Sequence, residues 1–465
     1  MGDALNKTLH KVYLIGAGPG DTDLITVKGA KILQQSDVVI YDYLVNLDIL
    51  KKYANPKSEL ICADSLTLKR YSNGFSKRQD LINKLIIKKV KEGKKVVRLK
   101  NGDPFIFGRA NEELKSLLDN KIKFVVIPGV TAATGASCFS GIPLTSRDVS
   151  SSVVFITGHQ ATERDMNWEA ISKIDTIVIY MGAENLKDIF DKLIKSGIDS
   201  NKPVAIISNA TKINQNIIIS SLKKIDRIKA ESPAIIIIGD VVKKEKYFNW
   251  FKKSKKILFT GLSEERFFED GIYFHIPFIE IKPLSDYSHL KNILKEIETY
   301  DWIVFLSRYG VYYFFENLLN FGFDARILKN VKIAAIGSST ANRLKDYGIL
   351  SDIKPKFETS LGLFEVLKDK IKNKKILLLR SDIADKGLEE KFKSAGAKVK
   401  RCVLYKNVIP KNIPELDLSI FDEIMFTSPS TVRNFYKIYK SIPSKIKIRC
   451  IGEVTYKEAK KYGFV

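Results

Sequence analysis

Residues 11–21 read KVYLIGAGPGD, a short apolar run that passes directly into a glycine-rich turn. An apolar run of this length that ends at glycine is typical of a buried strand, and the amphipathic stretch from Ile25 to Gln35 is typical of a helix. Runs such as DVVIYD, KVVRLK, FVVIPG and AIIIIGD alternate with amphipathic stretches through the first half of the chain. This alternation predicts α/β domains.

The glycine turn by itself allows a second interpretation. A strand, a glycine-rich turn and an acidic residue about twenty positions later, here Asp42, also make up the dinucleotide-binding fingerprint. The third glycine of that fingerprint would fall at Asp21, and Pro19 removes an amide from the turn that should hold the pyrophosphate. These two residues therefore argue against binding of NAD or FAD at this turn. Taken alone, the motif could also be a tight turn that binds no ligand.

The composition indicates a globular protein with more than one domain. Of the 465 residues, 45% are hydrophobic and 28% are charged. There is no apolar stretch of about 18 residues and no signal-peptide cleavage pattern, so we expect a cytoplasmic protein with no membrane partner. The four cysteines and four histidines are scattered singly, which predicts no metal.

The formal charge of +24 is compatible with two classes of partner. A basic surface attracts nucleic acid, and it also attracts small molecules that carry several carboxylates. Lysine is spread through nearly every predicted helix, without a groove-reading helix, an aromatic RNA-binding motif or a zinc finger. The spread indicates a lysine-rich background composition, with which an acidic small-molecule substrate is compatible, and the charge alone does not decide between the two classes. We expect no nucleic acid, and a basic nucleic-acid-binding protein is the less favoured alternative.

A change in composition and an internal repeat organise the rest of the chain. Residues 243–256, KKEKYFNWFKKSKK, are charged and aromatic and precede a new strand, so we predict domains over residues 1–252 and 253–465. In the second domain, DWIVFLSRYGVYYFFENL resembles DEIMFTSPSTVRNFYKIY, and KIAAIGSSTANRLKDYG resembles KIRCIGEVTYKEAKKYG. The repeat predicts two similar α/β lobes.

The motifs of the first domain carry a family resemblance as a set. GAGPGD, DVVIYDYLV, VVRLKNGDPFIFGR, PGVTAATGA, SGIPLT, TGH, YMG and SPAIIIIGDVV follow one another in the order and spacing of the tetrapyrrole C-methyltransferases. The set is most similar to the branch that methylates uroporphyrinogen III, and the resemblance covers about residues 11–251. It implies a two-domain tetrapyrrole methylase fold, S-adenosylmethionine bound in the cleft between the domains, and a homodimer.

The same resemblance implies roles for individual residues. The implied cofactor contacts are Pro19, Asn101, Gly102, Asp103, Ile106, Thr131, Ala132, Met181 and Ala210. Asp42 matches the family's proton acceptor, and burial is expected to shift its pKa toward that task. Arg109 and Arg147 are candidates for bidentate binding of substrate carboxylates. Structural alternatives remain, since turn, core or surface positions would also explain most of these residues.

The first domain departs from the family pattern at functional positions. Asp64 stands where the family usually has a lysine that is proposed as a proton donor. Asn101 replaces the first glycine of Gly-Gly-Asp-Pro, Ser146 replaces a histidine, and Ala210 replaces a glycine. We expect methyl transfer to persist, with an altered rate or regiochemistry.

From Lys255 onward the chain resembles uroporphyrinogen-III synthase, through KILFTG, DWIVFLS, IAAIGSSTANRLKDYG, KILLLRSD, VLYKNV and DEIMFTSPSTVRNF. The family has two α/β lobes that hold hydroxymethylbilane between them. Hydroxyls and amides at turns after strands can bind the substrate carboxylates. The candidates are Ser307, Ser338, Thr340, Ser428 and Thr455, with helix N-capping as the alternative role. Tyr405 matches a tyrosine that is suspected of assisting the loss of hydroxide. Relatives usually continue beyond the position of Val465, so we expect this domain to be short at its carboxyl end.

Together the two resemblances imply a bifunctional enzyme of tetrapyrrole biosynthesis. The synthase half, a lyase, would close hydroxymethylbilane to uroporphyrinogen III, and the methyltransferase half would methylate it twice to precorrin-2 for sirohaem or cobalamin. The alternative is an active methyltransferase with a degenerate synthase domain. An NAD-dependent dehydrogenase is a less favoured reading.

Overall fold

The computed structural model of the protein describes residues 11–66, 75–159, 166–227, 230–262, 270–384, 386–411 and 413–465. The chain divides into two units, Met1–Ser254 and Lys255–Val465, which we call the amino-terminal and carboxyl-terminal units. In the described part of the chain, no helix combines the length and apolar character that a membrane crossing requires.

The amino-terminal unit begins with a parallel sheet. Its strands are β1 (Val12–Gly16), β2 (Val38–Tyr41), β3 (Glu59–Cys62), β4 (Val96–Lys100) and β5 (Phe124–Ile127). The helices between them are α1 (Val27–Leu33), α2 (Leu47–Tyr53), α3 (Phe75–Lys91) and α4 (Ala110–Asp119), with short 3-10 helices at Thr22–Leu24 and Ala63–Leu66. The strand order is β3-β2-β4-β1-β5. The carboxyl ends of β1, β2 and β4 therefore lie side by side, which is where ligands bind on sheets of this kind.

Alternate residues of each strand face opposite sides of this sheet. On one face, Val12 and Val96 belong to a core that also contains Leu117 of α4, whereas Ile15 and Val97 pack into the core on the other face. The near-continuous apolar strands of the sequence are thus explained by burial on both faces.

The second sheet of this unit is mixed. Helix α5 (Ala132–Ser140) precedes its strands β6 (Val153–Thr157), β7 (Thr176–Tyr180), β8 (Pro203–Ser208), β9 (Asn216–Ser221) and β10 (Ala234–Ile238). The remaining helices are α6 (Trp168–Ser172), α7 (Leu186–Lys195), α8 (Glu245–Phe248) and α9 (Trp250–Lys253), with 3-10 helices at Leu222–Arg227 and Asp240–Lys244. The strand order is β6-β7-β10-β8-β9, in which β6 and β7 are parallel and β10 runs antiparallel to both of its neighbours. Helix α5 packs on one face of the sheet through Ala133 and Ala136.

The carboxyl-terminal unit contains two sheets. Its strands are β11 (Lys256–Phe259), β12 (Ile272–His275), β13 (Glu280–Pro283), β14 (Trp302–Phe305), β15 (Lys332–Ala335), β16 (Lys375–Ser381), β17 (Lys398–Val408), β18 (Glu423–Phe426) and β19 (Lys447–Cys450). Its helices are α10 (Ser288–Lys295), α11 (Arg308–Asn320), α12 (Ser338–Lys345), α13 (Ser360–Leu367), α14 (Gly387–Ser394), α15 (Pro429–Tyr439) and α16 (Glu453–Lys461), with 3-10 helices at Ile297–Thr299, Ala325–Leu328, Lys368–Lys370 and Leu418–Ile420.

The sequence repeat corresponds to these two sheets. One has the order β12-β11-β18-β19 and the other β13-β17-β16-β14-β15. The first repeat forms β14, α11, β15 and α12, and its two strands belong to the five-stranded sheet that contains β13. The second repeat forms β18, α15, β19 and α16, and its two strands belong to the four-stranded sheet that contains β12. Strands β13 and β17 pair antiparallel where the chain passes between the lobes. The predicted α/β class and the two-lobed second half are confirmed.

Candidate functional site

The loops after β1, β4 and β5 cross at glycines in the amino-terminal unit. A Cβ atom on Gly16 would lie 2.6 Å from the carbonyl oxygen of Gly102 and 2.6 Å from the Cα of Gly129. Gly18 and Gly102 exchange backbone hydrogen bonds of 3.2 and 2.9 Å, and both have positive φ angles. Only residues without side chains permit this approach. The crossing therefore packs the backbones of these loops closely together at the carboxyl edge of the sheet.

Asp103 ties two of these loops together. Its Oδ1 accepts a hydrogen bond of 2.8 Å from the Phe105 N–H, and its Oδ2 accepts one of 3.0 Å from the Gly129 N–H. Each carboxylate oxygen can accept a further hydrogen bond. Asp103 can therefore hold the loop and still receive a ligand hydroxyl or ammonium group.

Tyr180, at the end of β7, contacts the first half of this unit. Its hydroxyl lies 2.7 Å from Thr131 Oγ1 and accepts a hydrogen bond of 3.2 Å from the Ala133 N–H. Its ring centroid lies 4.9 Å from that of Phe107. Burial raises the pKa of Tyr180, so the phenol stays protonated. The sequence prediction quoted Tyr180 in the YMG motif but missed its role, since only its contact with Thr131 shows it.

The turn after β1 makes a second contact with the later part of this unit. The Asp21 N–H donates a hydrogen bond of 2.9 Å to Thr211 Oγ1, and a Cβ atom on Gly135 would lie 2.5 Å from Cγ of Pro19. Ala210, predicted to contact the cofactor, is 9% exposed beside this contact. Pro19 and Ala210 are thereby brought into one region with Ala132 and Ile106, which pack against the same core.

Several residues around this region have positive φ angles although they carry side chains. Phe107, Arg109 and Met181 have φ of 51°, 54° and 53°. Such angles are uncommon outside glycine and occur frequently at binding sites. Met181 is 53% exposed, so it does not fill the core. The strained backbone presents its side chain outward.

The two arginines predicted to bind substrate differ in their surroundings. Arg109 forms a bidentate ion pair with Glu112, with both N–O distances 2.7 Å. Arg147 lies exposed in the turn from Ser146 to Ser150, and no hydrogen bond connects it with another described residue. The structure therefore does not join Arg147 to the glycine crossing.

Asp42 lies directly after β2, beside the glycine crossing. Its carboxylate accepts hydrogen bonds from the Arg98 guanidinium and, at 3.3 Å, from the Asn101 N–H. Burial alone would raise the pKa of Asp42, but the charges of Arg98 and Lys100 and these hydrogen bonds outweigh it and lower the pKa below its ordinary value. The pKa of Asp42 is therefore shifted in the direction opposite to the one expected from burial, and Asp42 is a carboxylate at neutral pH.

Asp64 occupies the position where the family pattern has lysine. One of its carboxylate oxygens accepts a hydrogen bond of 2.9 Å from the Tyr43 N–H, and the other lies 2.9 Å from Arg78. Asp64 thus holds the loop that follows Asp42 and pairs with a cation of α3. The part of the loop after Leu66, residues 67–74, lies outside the described residues.

In the carboxyl-terminal unit, Tyr405 and Ser307 are brought together. The Tyr405 hydroxyl lies 2.7 Å from Ser307 Oγ and also hydrogen-bonds Ser381, and burial raises the pKa of the phenol. Tyr313 stacks on the Tyr405 ring, with centroids 5.9 Å apart. Ser307 also caps α11 by accepting a hydrogen bond of 2.9 Å from the Gly310 N–H. Capping and a binding role are compatible for this residue.

The other predicted hydroxyls are already engaged or buried. Ser338 donates through its N–H and its hydroxyl to Glu358, at 2.8 and 2.6 Å. Ser428 forms the capping box of α15 with Thr431. Thr340 and Thr455 lie in the first turns of α12 and α16 with exposed fractions of 3% and 2%. A substrate would have to displace neighbouring groups to reach these two hydroxyls.

A cavity of about 800 Å³ lies between the two lobes of this unit. Ser381 and Asn407 line it from the ends of β16 and β17, and residues of α15 and α16 line the opposite side. Its charged residues are Arg433, Lys437, Lys461 and Glu458, where Glu458 lies 2.9 Å from Arg433 and 3.2 Å from Lys461. The charged residues that line the cavity therefore carry a net positive charge, which suits a substrate with carboxylates. The sequence prediction missed this helix face, although the spacing of Ser430, Arg433 and Lys437 places them on one side of α15.

The described residues bring together no group of three or more His, Cys, Asp or Glu side chains that could hold a metal ion. The polar groups around the glycine crossing and the cavity are instead backbone groups, single carboxylates and hydroxyls. This set suits organic ligands with polar substituents.

Comparisons with known proteins agree with this division into two halves. Residues 11–226 match the family model of tetrapyrrole (corrin/porphyrin) methylases, and residues 269–465 match that of uroporphyrinogen-III synthase HemD. Porphyrin biosynthesis protein HemD of Ruminiclostridium josui is 36% identical over 479 residues, which cover 97% of this chain and 93% of that protein.

Other relatives match one half of the chain. Siroheme synthase of Blochmanniella pennsylvanica is 44% identical over 250 residues, 53% of this chain and 51% of that protein, so the chain spans about half the length of this relative. The native form of uroporphyrin III C-methyl transferase from Thermus thermophilus is 29% identical, with a TM-score of 0.44, over 50% of this chain and 99% of that one.

Proposed function

The chain belongs to the family of fusion proteins that join a tetrapyrrole methylase to a uroporphyrinogen-III synthase, and we propose that it performs both reactions. In this proposal the carboxyl-terminal unit closes hydroxymethylbilane to uroporphyrinogen III. The amino-terminal unit then methylates this product twice to precorrin-2. The observation that carries the methylation proposal is the position of the Asp42 carboxylate beside the glycine crossing, where it accepts hydrogen bonds from the Arg98 guanidinium and the Asn101 N–H.

S-adenosylmethionine is the proposed methyl donor, and the residues present fit it. The glycine crossing brings the backbone of Gly102 next to the start of α5, since a Cβ atom at Gly102 would lie 3.6 Å from the backbone nitrogen of Ala132 and 3.8 Å from the Cα of Thr131. Asp103 retains acceptor capacity for ribose hydroxyls or an ammonium group. Ile106, Ala132 and Ala210 offer small apolar surfaces for a purine ring. When bound, the cofactor supplies an activated methyl group on a sulfonium.

The residues of the chain then align the substrate and handle a proton. Methylation makes a substituted pyrrole carbon quaternary and leaves the macrocycle with a positive charge, so a proton must leave from another atom of the macrocycle. Asp42 is held in the form that accepts one. Arg109 is a candidate for binding a substrate carboxylate, in exchange for or together with its contact to Glu112. Arg147, Thr131, Met181 and Pro19 stay proposed ligand contacts.

The test supplies hydroxymethylbilane and S-adenosylmethionine to the full chain and identifies the tetrapyrrole by mass. We expect uroporphyrinogen III carrying two added methyl groups. A trimethylated product, or no methylated product even when uroporphyrinogen III is supplied directly, would contradict the methylation proposal. Asp42→Asn should lower the methylation rate about 10²- to 10⁴-fold. Asp48→Asn, which removes an exposed carboxylate on α2, is the matched control.

The cyclisation proposal rests on the cavity between the lobes and on Tyr405 behind Ser381. Loss of hydroxide from the bilane requires a hydrogen-bond donor at the leaving oxygen, and the raised pKa of Tyr405 keeps its phenol protonated. Arg433 and Lys437 supply positive charge for the propionate and acetate groups. Ser307, Ser338 and Ser428 are proposed to contact these groups as well.

A second candidate is an active methyltransferase with a degenerate synthase half. The burial of Thr340 and Thr455 and the occupation of Ser338 by Glu358 favour it. The two candidates differ when hydroxymethylbilane is supplied alone. An active synthase gives the type III isomer, whereas a degenerate one leaves the bilane to close spontaneously to type I. A homodimer is also proposed, and light scattering on the purified chain tests it.

A further inference from the structure

Strand β4 carries two cations into the core of the amino-terminal unit. Arg98 and Lys100 are 2% and 3% exposed, and they lie on the same face of the sheet as Val96, which α3 and α4 cover. Glu113 of α4, 1% exposed, lies against both. An isolated charge in such a place is strongly unfavourable, so these groups depend on one another.

Glu113 and Asp42 hold opposite ends of the Arg98 guanidinium. Glu113 Oε1 lies 3.0 Å from Arg98 Nε and 3.0 Å from Lys100 Nζ. Arg98 Nη2 binds the Asp42 carboxylate, and Nη1 donates to the carbonyls of Ile40 and Leu99 at 3.3 and 3.2 Å. The planar guanidinium therefore has no freedom to turn away from Asp42.

The four charges balance, and Asp42 is the member that reaches the surface. Its side chain is 30% exposed, compared with 2% for Arg98 and 0% for Glu113. Gln79 of α3 adds a neutral hydrogen bond of 3.3 Å to Glu113. The described charged groups near Asp42 are thus Arg98 and Lys100 from β4 and Glu113 from α4. The ion pair of Asp64 with Arg78 lies beside the loop after Asp42.

We propose that Arg98 and Glu113 are positioning residues for methylation: Glu113 orients Arg98 from within the core, and Arg98 keeps the Asp42 carboxylate ionised and aimed from the sheet edge. The inference rests on the proposed role of Asp42 as proton acceptor. Arg98 and Glu113 are 2% and 1% exposed, so in this proposal both act through Asp42 rather than on the substrate. A purely structural role would stabilise the fold without controlling how Asp42 titrates, and this difference can be measured.

The first measurement is the pH profile of methylation from uroporphyrinogen III. In Arg98→Met the acid limb of kcat/KM should move up by about 1–3 pH units, the shift that an adjacent arginine imposes on an aspartate. Arg98→Lys, which keeps a cation, should restore part of the shift. Lys89→Met, which breaks an ion pair with Glu59 on the outside of α3, is the matched control. An unmoved acid limb in a folded, active Arg98→Met variant would overturn the proposal.

The second measurement does not require activity. Asp42→Asn and Glu113→Gln alter groups that are both bound by Arg98, with Lys100 as a second link through its contact to Glu113. Their effects on the melting temperature should therefore be non-additive in the wild-type background. The non-additivity should shrink in the Arg98→Met background, where Lys100 is the remaining cation beside Glu113, and it should shrink less in Arg98→Lys, which keeps a cation. Additive effects would overturn the proposed positioning of Asp42 by Glu113 and Arg98, even if the protein methylates its substrate. Non-additive effects in a protein that does not methylate would support this positioning of Asp42, and the missing activity would then count against the proposed function.

Discussion

The hydroxyl of Tyr405 lies 2.7 Å from Oγ of Ser307, although 98 positions separate these residues in the chain. Tyr405 belongs to β17 and Ser307 precedes α11, and the parallel pairing of β14, β16 and β17 brings these two residues to the same edge of the sheet. Burial raises the pKa of the Tyr405 phenol and outweighs the lowering effect of its hydrogen bonds with Ser307 and Ser381. The two serines fix the direction of the hydroxyl, and the raised pKa keeps it protonated, which suits a hydrogen-bond donor.

Tyr405→Phe should therefore slow cyclisation while leaving methylation of added uroporphyrinogen III unchanged. The expected loss is about 10²-fold or more in kcat, because a donor at a leaving oxygen is typically worth that much. The rate and the isomer ratio are measured by chromatography of the oxidised porphyrins. Tyr312→Phe, at an exposed position of the same lobe, is the control. Equal rates in Tyr405→Phe and the wild type would remove Tyr405 from the mechanism.

Glu358 occupies the place at the start of α12 where a substrate carboxylate was expected. Its carboxylate binds the N–H and hydroxyl of Ser338, and Lys354 also donates to that hydroxyl at 2.8 Å. Glu358→Gln should lower KM for hydroxymethylbilane roughly two- to fivefold, since a charge at a helix end is worth about 0.3–1 kcal/mol. Glu365→Gln on the neighbouring α13 is the control. A KM that is unchanged or higher would mean that Ser338 does not meet the substrate.

The glycine crossing makes a separate prediction for cofactor binding. A Cβ atom on Gly129 would lie 2.7 Å from the Cα of Gly16 and would overlap the carbonyl of Gly102. Gly129→Ala should push the loops apart and weaken S-adenosylmethionine binding at least about tenfold, as seen by calorimetry. Gly310→Ala in the other unit, where a Cβ atom would meet only Ser307 Oγ at 3.4 Å, should bind like the wild type. Wild-type affinity in Gly129→Ala would place the cofactor elsewhere.

The ionised state of Asp42 makes stability depend on pH in a defined direction. The pKa of Asp42 is lower in the folded protein than its ordinary value of 3.8, so its contribution is present above pH 3.8. That contribution is lost as the pH falls from 3.8 through the lower folded value. The difference in melting temperature between the wild type and Asp42→Asn should therefore narrow as the pH is lowered from 7 to 3. A difference that stays constant over this range would contradict the lowered pKa, and Asp48→Asn controls for loss of a surface carboxylate.

Much of the fold followed from local patterns. The apolar runs that became β1, β4 and β10 are bounded by turn residues, and the repeat over DWIVFLS and DEIMFTS became β14 with α11 and β18 with α15. Strand and helix periodicity are properties of neighbouring residues, so one sequence is enough to recognise them. Helix capping by Ser307 and Ser428 was the alternative role considered for these residues, and it too depends on a few neighbouring positions.

The candidate site was only partly predictable. The turn residues and Asp42 were found as motifs, but the sequence pattern gave no reason to join Arg98 with Glu113 or Tyr180 with Thr131. Arg98 and Lys100 read as ordinary cations in a strand, and their burial depends on how α3 and α4 cover the sheet. The pKa of Asp42 was misjudged because burial was considered without the cations that accompany it.

The sequence by itself determined the α/β class, the two lobes of the second half and the membership of each half in a family, since these depend on spacing along the chain. The tertiary structure alone decided which charges and hydroxyls meet. It paired Asp42 with Arg98, set Glu358 against Ser338 and buried Thr455. Such contacts join residues that are distant in the chain, and their electrostatic energies depend on distance and burial, which no local pattern specifies.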